Sequence, residues 1–283
     1  MKIDIKEINI VLLKNRWAIL FIVVFSHFLT TEIYECCIKK KTHKIMVKEL
    51  VSTQMATGIS GIKNGKFNGF RSYKFANGDE YIGEWRNDEM NGKGTYKYLN
   101  GDEYVGGFEN GEFNGFGSLK FANGDEYVGA WRNDKMNGKG TYKYLNGDEY
   151  VGEWRNGEQN GLGAYNYSNG EKYIGEWNNS KRNGFGIFKD RTNTKMYIGQ
   201  FMNGFPDGQG MSQILDSFIY FGEWKKSKNG KGIIKWLNGT TLIGEWKDGK
   251  INGWCKTISA DGAIIEGEWL DDKLIGLKKE NTN

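Results

Sequence analysis

The residues best able to do chemistry are few, and they are poorly placed for it. The chain has 283 residues, two histidines (His27 and His43) and three cysteines (Cys36, Cys37 and Cys255). A Ser-His-Asp or Cys-His relay needs a histidine within hydrogen-bond reach of its nucleophile, and no histidine lies beyond position 43. No Walker-type phosphate loop, G-x-S-x-G elbow, H-E-x-x-H helix or paired C-x-x-C occurs. Neither a cofactor nor a metal is expected, and the chain reads as not an enzyme. An odd count of three thiols, with Cys255 far from the adjacent Cys36 and Cys37, cannot build a disulfide framework and fits a reducing compartment. What does recur is acidic: Asp102-Glu103, Asp125-Glu126 and Asp148-Glu149. A carboxylate copied into unit after unit beside Asn-Gly serves the turn and not a reaction.

The elements that carry these copies are set by one period. The pattern aromatic/aliphatic-x-Gly-x-Trp/Phe starts at Tyr81, Tyr104, Tyr127, Tyr150, Tyr173, Tyr197, Tyr220, Leu242 and Ile265. The step from one start to the next is constant to within one position. The glycine and second aromatic are Gly83/Trp85, Gly106/Phe108, Gly129/Trp131, Gly152/Trp154, Gly175/Trp177, Gly199/Phe201, Gly222/Trp224, Gly244/Trp246 and Gly267/Trp269. A stretch beginning at Lys74 recurs almost unchanged from Lys120, two units on, so units were copied in pairs. Self-similarity at such a period is the signature of a repeat architecture.

Each unit reads as one hairpin. In Glu80–Arg86, period-2 alternation puts Tyr81, Gly83 and Trp85 on one face and Ile82, Glu84 and Arg86 on the other. A looser turn is expected over Asn87–Asn91, then a return strand Gly92–Leu99 that carries Gly92 and Gly94. Asn100-Gly101 is expected to close the unit as a two-residue type I′ turn, with positive φ at both positions. Gly between Tyr and Trp is expected to leave room for an aromatic of the neighbouring hairpin. Its entropic cost of about 1 kcal/mol is offset by roughly 2–3 kcal/mol for each ring buried. Where the sixth unit carries Pro206 and Met211–Asp216 lacks an Asn-Gly close, a bend or bulge is expected.

Composition agrees. The chain has 41 Gly, only 1 Pro and 14% aromatic residues, which excludes collagen and a disordered linker. Positions 1–57 hold nine basic and five acidic side chains, so they carry the whole net charge of +4. Positions 58–283 carry equal numbers of each sign, which gives no electrostatic footprint for nucleic acid.

Tyr150-Val-Gly-Glu-Trp154-Arg-Asn-Gly157-Glu-Gln-Asn-Gly161-Leu-Gly163 resembles the consensus of the MORN (membrane occupation and recognition nexus) repeat family. The resemblance runs from Tyr81 to about Trp269. A worn unit, Ser60–Arg71, extends it back to about Gly58, with Ile62 in the place of Trp85 and Arg71 in the place of Gly94. It implies an all-β repeat array, an elongated single-layer antiparallel sheet of stacked hairpins forming a half-pipe. It implies a scaffold or self-associating device, with phospholipid-headgroup binding as an alternative. Relatives fused to lipid-kinase or methyltransferase domains suggest a regulatory role as a further alternative, although the stretch before position 58 is too short for a catalytic domain. Cys255 departs from the pattern by replacing the second Gly of Gly-x-Gly.

The N-terminus is of another kind. A basic flank, 1–16, precedes a hydrophobic segment, 17–34, in which Trp17–Leu29 carries no formal charge. At about 1.5 Å per residue, a helix over Trp17–Leu29 spans about 20 Å and one over the whole segment about 27 Å, against a hydrocarbon core of about 30 Å. A helical membrane anchor is preferred over a cleaved signal or a soluble helix, because no small-residue cleavage site follows Leu29. In the basic linker, 35–57, Cys36 and Cys37 are candidates for lipidation, and Lys39, Lys40, Lys41 and Lys44 for contact with anionic lipid. Positive charges before and after the segment nearly balance, so the side of the membrane stays open; a cytosolic array is preferred. Asn166, Asn178 and Asn238 head N-x-Ser/Thr triplets that would report a lumenal one. The array is placed at 58–277 and a polar tail at 278–283. Protein partners or self-association are expected, and nucleic acid is not.

Overall fold

A computed structural model describes residues 62–277, and all regular structure among them is β-strand. A short hairpin, Ile62–Lys63 with Lys66–Phe67, comes first. One antiparallel sheet then runs from Gly69–Lys74 to Lys273–Leu277, each strand packing on its neighbours in sequence, and the sheet is open. The hydrophobic segment, the linker with Cys36 and Cys37, and the tail lie outside the described residues. Among the described residues no helix is long and apolar enough to cross a membrane.

The two kinds of turn are the reverse of what the dipeptides suggest. Arg86 pairs with Glu89, so the loop is only Asn87-Asp88, with φ of 53° and 73°. Positive φ at both positions of a two-residue loop is the type I′ geometry, whose twist suits the flanking strands. The return strand therefore begins at Glu89, not Gly92. The Asn-Gly sites that close the units are three-residue loops. Phe75 N–H donates to the Asp79 carbonyl at 2.8 Å and Gly78 N–H to the Phe75 carbonyl at 3.0 Å. Only Gly78 has positive φ, 92°. Three residues between the closing pair make a type I turn completed by one left-handed glycine, so the asparagine keeps an ordinary backbone.

Every regular hairpin is bulged at one place. Gly83 pairs with Gly94, but Trp85 pairs with Met90, so Glu84 faces three residues instead of one. Gly92, inside that bulge, takes φ +82°. Lys93 N–H donates to the Glu84 carboxylate at 3.1 Å, which ties the surplus backbone to the opposite strand. The expected irregularity near Pro206 is this same shift, between Gly199 and Phe201, and Phe205–Ile214 runs through Pro206 unbroken. The extra residue of the sixth unit lies elsewhere, in the loop closed by Asp190 N–H to the Lys195 carbonyl at 3.0 Å. The short unit that begins at Tyr220 loses its residue at the turn, where Lys226 alone stands between paired Lys225 and Ser227.

Candidate functional site

The tyrosines lie over bare backbone of their own hairpin. Tyr81 is fully buried, and its hydroxyl donates to the Glu84 carbonyl at 2.9 Å, three residues along the same strand. A Cβ on Gly83, or on its partner Gly94, would overlap the Tyr81 ring. Tyr104 over Gly106/Gly117, Tyr127 over Gly129/Gly140, Tyr150 over Gly152/Gly163 and Tyr173 over Gly175/Gly186 repeat the arrangement. So do Tyr197 over Gly199/Gly210 and Tyr220 over Gly222/Gly232. The glycine thus admits the ring of its own strand and not, as the sequence suggested, one from the next hairpin.

The neighbouring hairpin contributes the Trp or Phe instead. Tyr104 meets Trp131 of the next unit edge to face at 5.4 Å, as Tyr127 meets Trp154 at 5.4 Å and Tyr150 meets Trp177 at 5.3 Å. Each indole also reaches back to backbone: Trp131 Nε1 donates to the Gly117 carbonyl and Trp177 Nε1 to that of Gly163, both at 3.3 Å. Phe108, Trp154, Phe201 and Trp246 are buried with them, while Trp224 and Trp269 are half-buried near the C-terminal end. Edge-to-face rings add about 0.5–1.5 kcal/mol each beyond their area. This aromatic zipper couples unit to unit in a sheet with no second layer, and it occupies the Tyr/Trp stripe.

Two departures from the pattern obey the same rule. Arg71 stands where Gly94 would be, and the sequence has Gly58 instead of a tyrosine at the matching position of that unit. The Arg71 guanidinium lies 3.9 Å from the Phe67 ring centroid instead. At the other end Leu242 replaces the tyrosine, and the Cys255 side chain fills the volume over Gly244. Burial pushes the Cys255 thiol up, so it stays protonated and packs as a small apolar group.

The turn carboxylates do more than the sequence suggested. Asp125 Oδ1 accepts from Leu145 N–H at 2.8 Å and its Oδ2 from the Tyr142 hydroxyl at 2.9 Å, both in the following unit. Asp79 does the same with Leu99 and Tyr96, and Asp148 with Ser168 and Tyr165. The bonds from Leu99 and Tyr96 hold the Asp79 carboxyl below its ordinary range. Around Asp125 burial pushes upward, but the bonds from Leu145 and Tyr142 win and the carboxyl is again low. The constant offset from each Asp to its two partners was present in the sequence as the sign of this staple. Burial pushes the hydroxyls of Tyr81, Tyr104 and Tyr127 upward, which keeps them neutral donors.

The face opposite the zipper is the open one. Its central row crosses the sheet as successive partners: Ile82, Thr95, Val105, Ser118, Val128, Thr141, Val151 and Ala164 in the first half. It continues as Ile174, Ile187, Ile198, Met211, Phe221, Ile233 and Ile243. A shallow cavity of about 570 Å³ lies over Phe221, Ile233 and Ile243, with Trp254 at its margin. No reading of the sequence singled out this row; lining up the units in register would have shown it.

The fold and these two faces define a class: a hairpin-repeat sheet whose cohesion runs along one face and whose other face is left for contact. The MORN repeat model matches eight consecutive stretches, 81–103, 104–126, 127–149, 150–172, 173–195, 197–213, 220–241 and 243–264. The chain belongs to the MORN repeat family. Comparison with curated proteins finds no match. Among solved structures, the TCP10c domain of Drosophila melanogaster Sas-4 is similar at 13% identity, covering 70% of this chain and 97% of that one, with a TM-score of 0.27. A streptogramin B lyase is similar at 12% identity over 74% and 85%, with a TM-score of 0.16. Superpositions this slight carry no argument.

Proposed function

We propose that the chain is a non-catalytic, membrane-tethered scaffold whose repeat sheet binds protein partners or self-associates. The observation that carries this is the division of labour between the faces: rings and turn bonds hold the units together on one side, and a continuous row of side chains is left for contact on the other. MORN arrays are generally interaction modules, which supports the same reading. The tether is the segment 17–34, and the proposed location is a membrane with the array in the cytosol. There Cys36 and Cys37 would remain thiols open to acylation, and the nearby lysines would meet anionic headgroups.

The tether is tested by alkaline carbonate extraction of membranes from cells making the full chain. Retention in the pellet, abolished by deleting residues 1–35, is expected; a full chain found in the supernatant removes the tether. Protease treatment of sealed vesicles should digest a C-terminal tag, and a protected tag would put the array on the other side. Robust turnover by the purified chain would overturn the non-catalytic assignment.

A further inference from the structure

The zipper gathers tryptophan and tyrosine, side chains that give up a single electron readily, into one unbroken run. From Tyr104 to Tyr173 the two residue types alternate, with successive ring centroids 5.2–5.4 Å apart. Phe108 bounds the run on one side, 5.2 Å from Tyr104, and Phe201 on the other, 5.1 Å from Tyr173. Phenylalanine holds its electrons far more tightly, so the run ends at those rings.

Two branches leave the run toward the turn edge. Tyr142 lies 5.9 Å from Trp154, and Tyr165 lies 5.9 Å from Trp177. The two indoles are buried and the two phenols half-buried. What sets the branches apart is where the phenol proton points. Tyr104, Tyr127, Tyr150 and Tyr173 donate to backbone carbonyls, which take up no proton at neutral pH. Tyr142 donates to Asp125 Oδ2 at 2.9 Å and Tyr165 to Asp148 Oδ2 at 2.8 Å. A phenol that loses an electron and keeps its proton becomes a cation, which is costly to hold away from water. A carboxylate within hydrogen-bond reach acts as general base and takes the proton as the electron leaves. Tyr96 also donates to a carboxylate, that of Asp79 at 2.8 Å, but its ring lies against Phe75 and Tyr98, off the run.

We propose that the run from Tyr104 to Tyr173 is a relay for one-electron oxidation, which passes an oxidising equivalent from its buried indoles to Tyr142 and Tyr165. The co-reactant is a one-electron oxidant of the inorganic radical class, such as the carbonate radical anion. It takes one electron from Trp154 or Trp177, becomes carbonate and leaves an indole radical cation. Tyr142 or Tyr165 then gives an electron to that indole, and its proton passes to Asp125 or Asp148. The products are a neutral indole, a neutral tyrosyl radical and a protonated carboxyl, so charge and protons balance. This activity goes beyond the interaction reading and does not depend on it.

The test uses the full chain in neutral-lipid nanodiscs, with photogenerated tris(bipyridine)ruthenium(III) as the one-electron oxidant. Transient absorption follows the radicals, and electron paramagnetic resonance identifies those trapped by freezing. A tryptophan radical should form first and give way to a tyrosyl radical. Asp125→Asn/Asp148→Asn should slow that passage about 100-fold and leave the tryptophan radical as the trapped product. Asp79→Asn, whose tyrosine lies off the run, should change it by less than about twofold. Tyr142→Phe/Tyr165→Phe leaves Asp125 and Asp148 bonded to Leu145 and Ser168. It should prolong the tryptophan radical in the same way, and it decides the matter if the asparagine variant fails to fold. No tyrosyl radical in the parent chain, or one that forms at the parent rate in Tyr142→Phe/Tyr165→Phe, overturns the proposal. So does a slowing by Asp79→Asn as large as that by Asp125→Asn/Asp148→Asn.

Discussion

Residues 81–172 and 173–277 share one backbone plan but use their side chains differently. The first half keeps Tyr at each unit's start, an Asp staple entering each unit and an alternating Lys/Glu row, with ion pairs such as Lys97–Glu103 at 3.9 Å. The second half replaces the Asp by Glu171, Lys195 and Thr240 and two tyrosines by Leu242 and Ile265, and its open face becomes larger and more apolar. The lesson is one of allocation. Where polar groups are satisfied within the sheet the surface has little left to offer; where they are not, the same ladder is free to recognise something else.

The largest expected contrast is at the buried ring. Tyr127→Ala removes a fully buried side chain that touches Trp131 and Trp154, and should cost about 3–5 kcal/mol in urea unfolding; Leu242→Ala should cost nearer about 2 kcal/mol. Equal losses would break the contrast between halves. Next comes the staple. Asp125→Ala leaves Leu145 N–H and the Tyr142 hydroxyl without their acceptor and should cost about 1–3 kcal/mol, while Glu171→Ala stays within about 0.5 kcal/mol.

A smaller effect sharpens the comparison by pH. The carboxyls of Asp79, Asp125 and Asp148 are depressed in the fold. Their stabilisation is therefore complete above the unfolded value of about 3.9 and is lost as pH falls through the lower folded values. Hydrogen exchange compared above and below about pH 4 should show the first half loosening more than the second across the unit joints. Uniform loosening would remove the staples as the cause.

The sequence made the period, the strand faces and the buried role of Tyr and Trp legible, because alternation fixes which face a residue occupies. It did not reveal which ring fills the space over Gly83 and Gly94, since both Tyr81 and Phe108 satisfy the face rule and only side-chain direction separates them. The turn types were misread because Asn-Gly serves both loop lengths: it is a two-residue loop at Asn156-Gly157 and the end of a three-residue loop at Asn100-Gly101. The closing pair, not the dipeptide, decides. The bulge was hidden because Glu84 looks like any exposed strand residue until Lys93 N–H is seen to need it. The open-face row was passed over because isoleucine and valine in strands carry no signal of their own.

The central claim is that each tyrosine and its glycine pair share one volume, which Leu242 and Cys255 show filled another way. A double-mutant cycle transplants that solution into the first half: Tyr127→Leu, Gly140→Cys and both together, followed by urea unfolding of the full chain. Gly140→Cys alone should be strongly destabilising, and the pair should lose about 1–2 kcal/mol less than the sum of the singles. Losses that add to within about 0.5 kcal/mol would contradict the account.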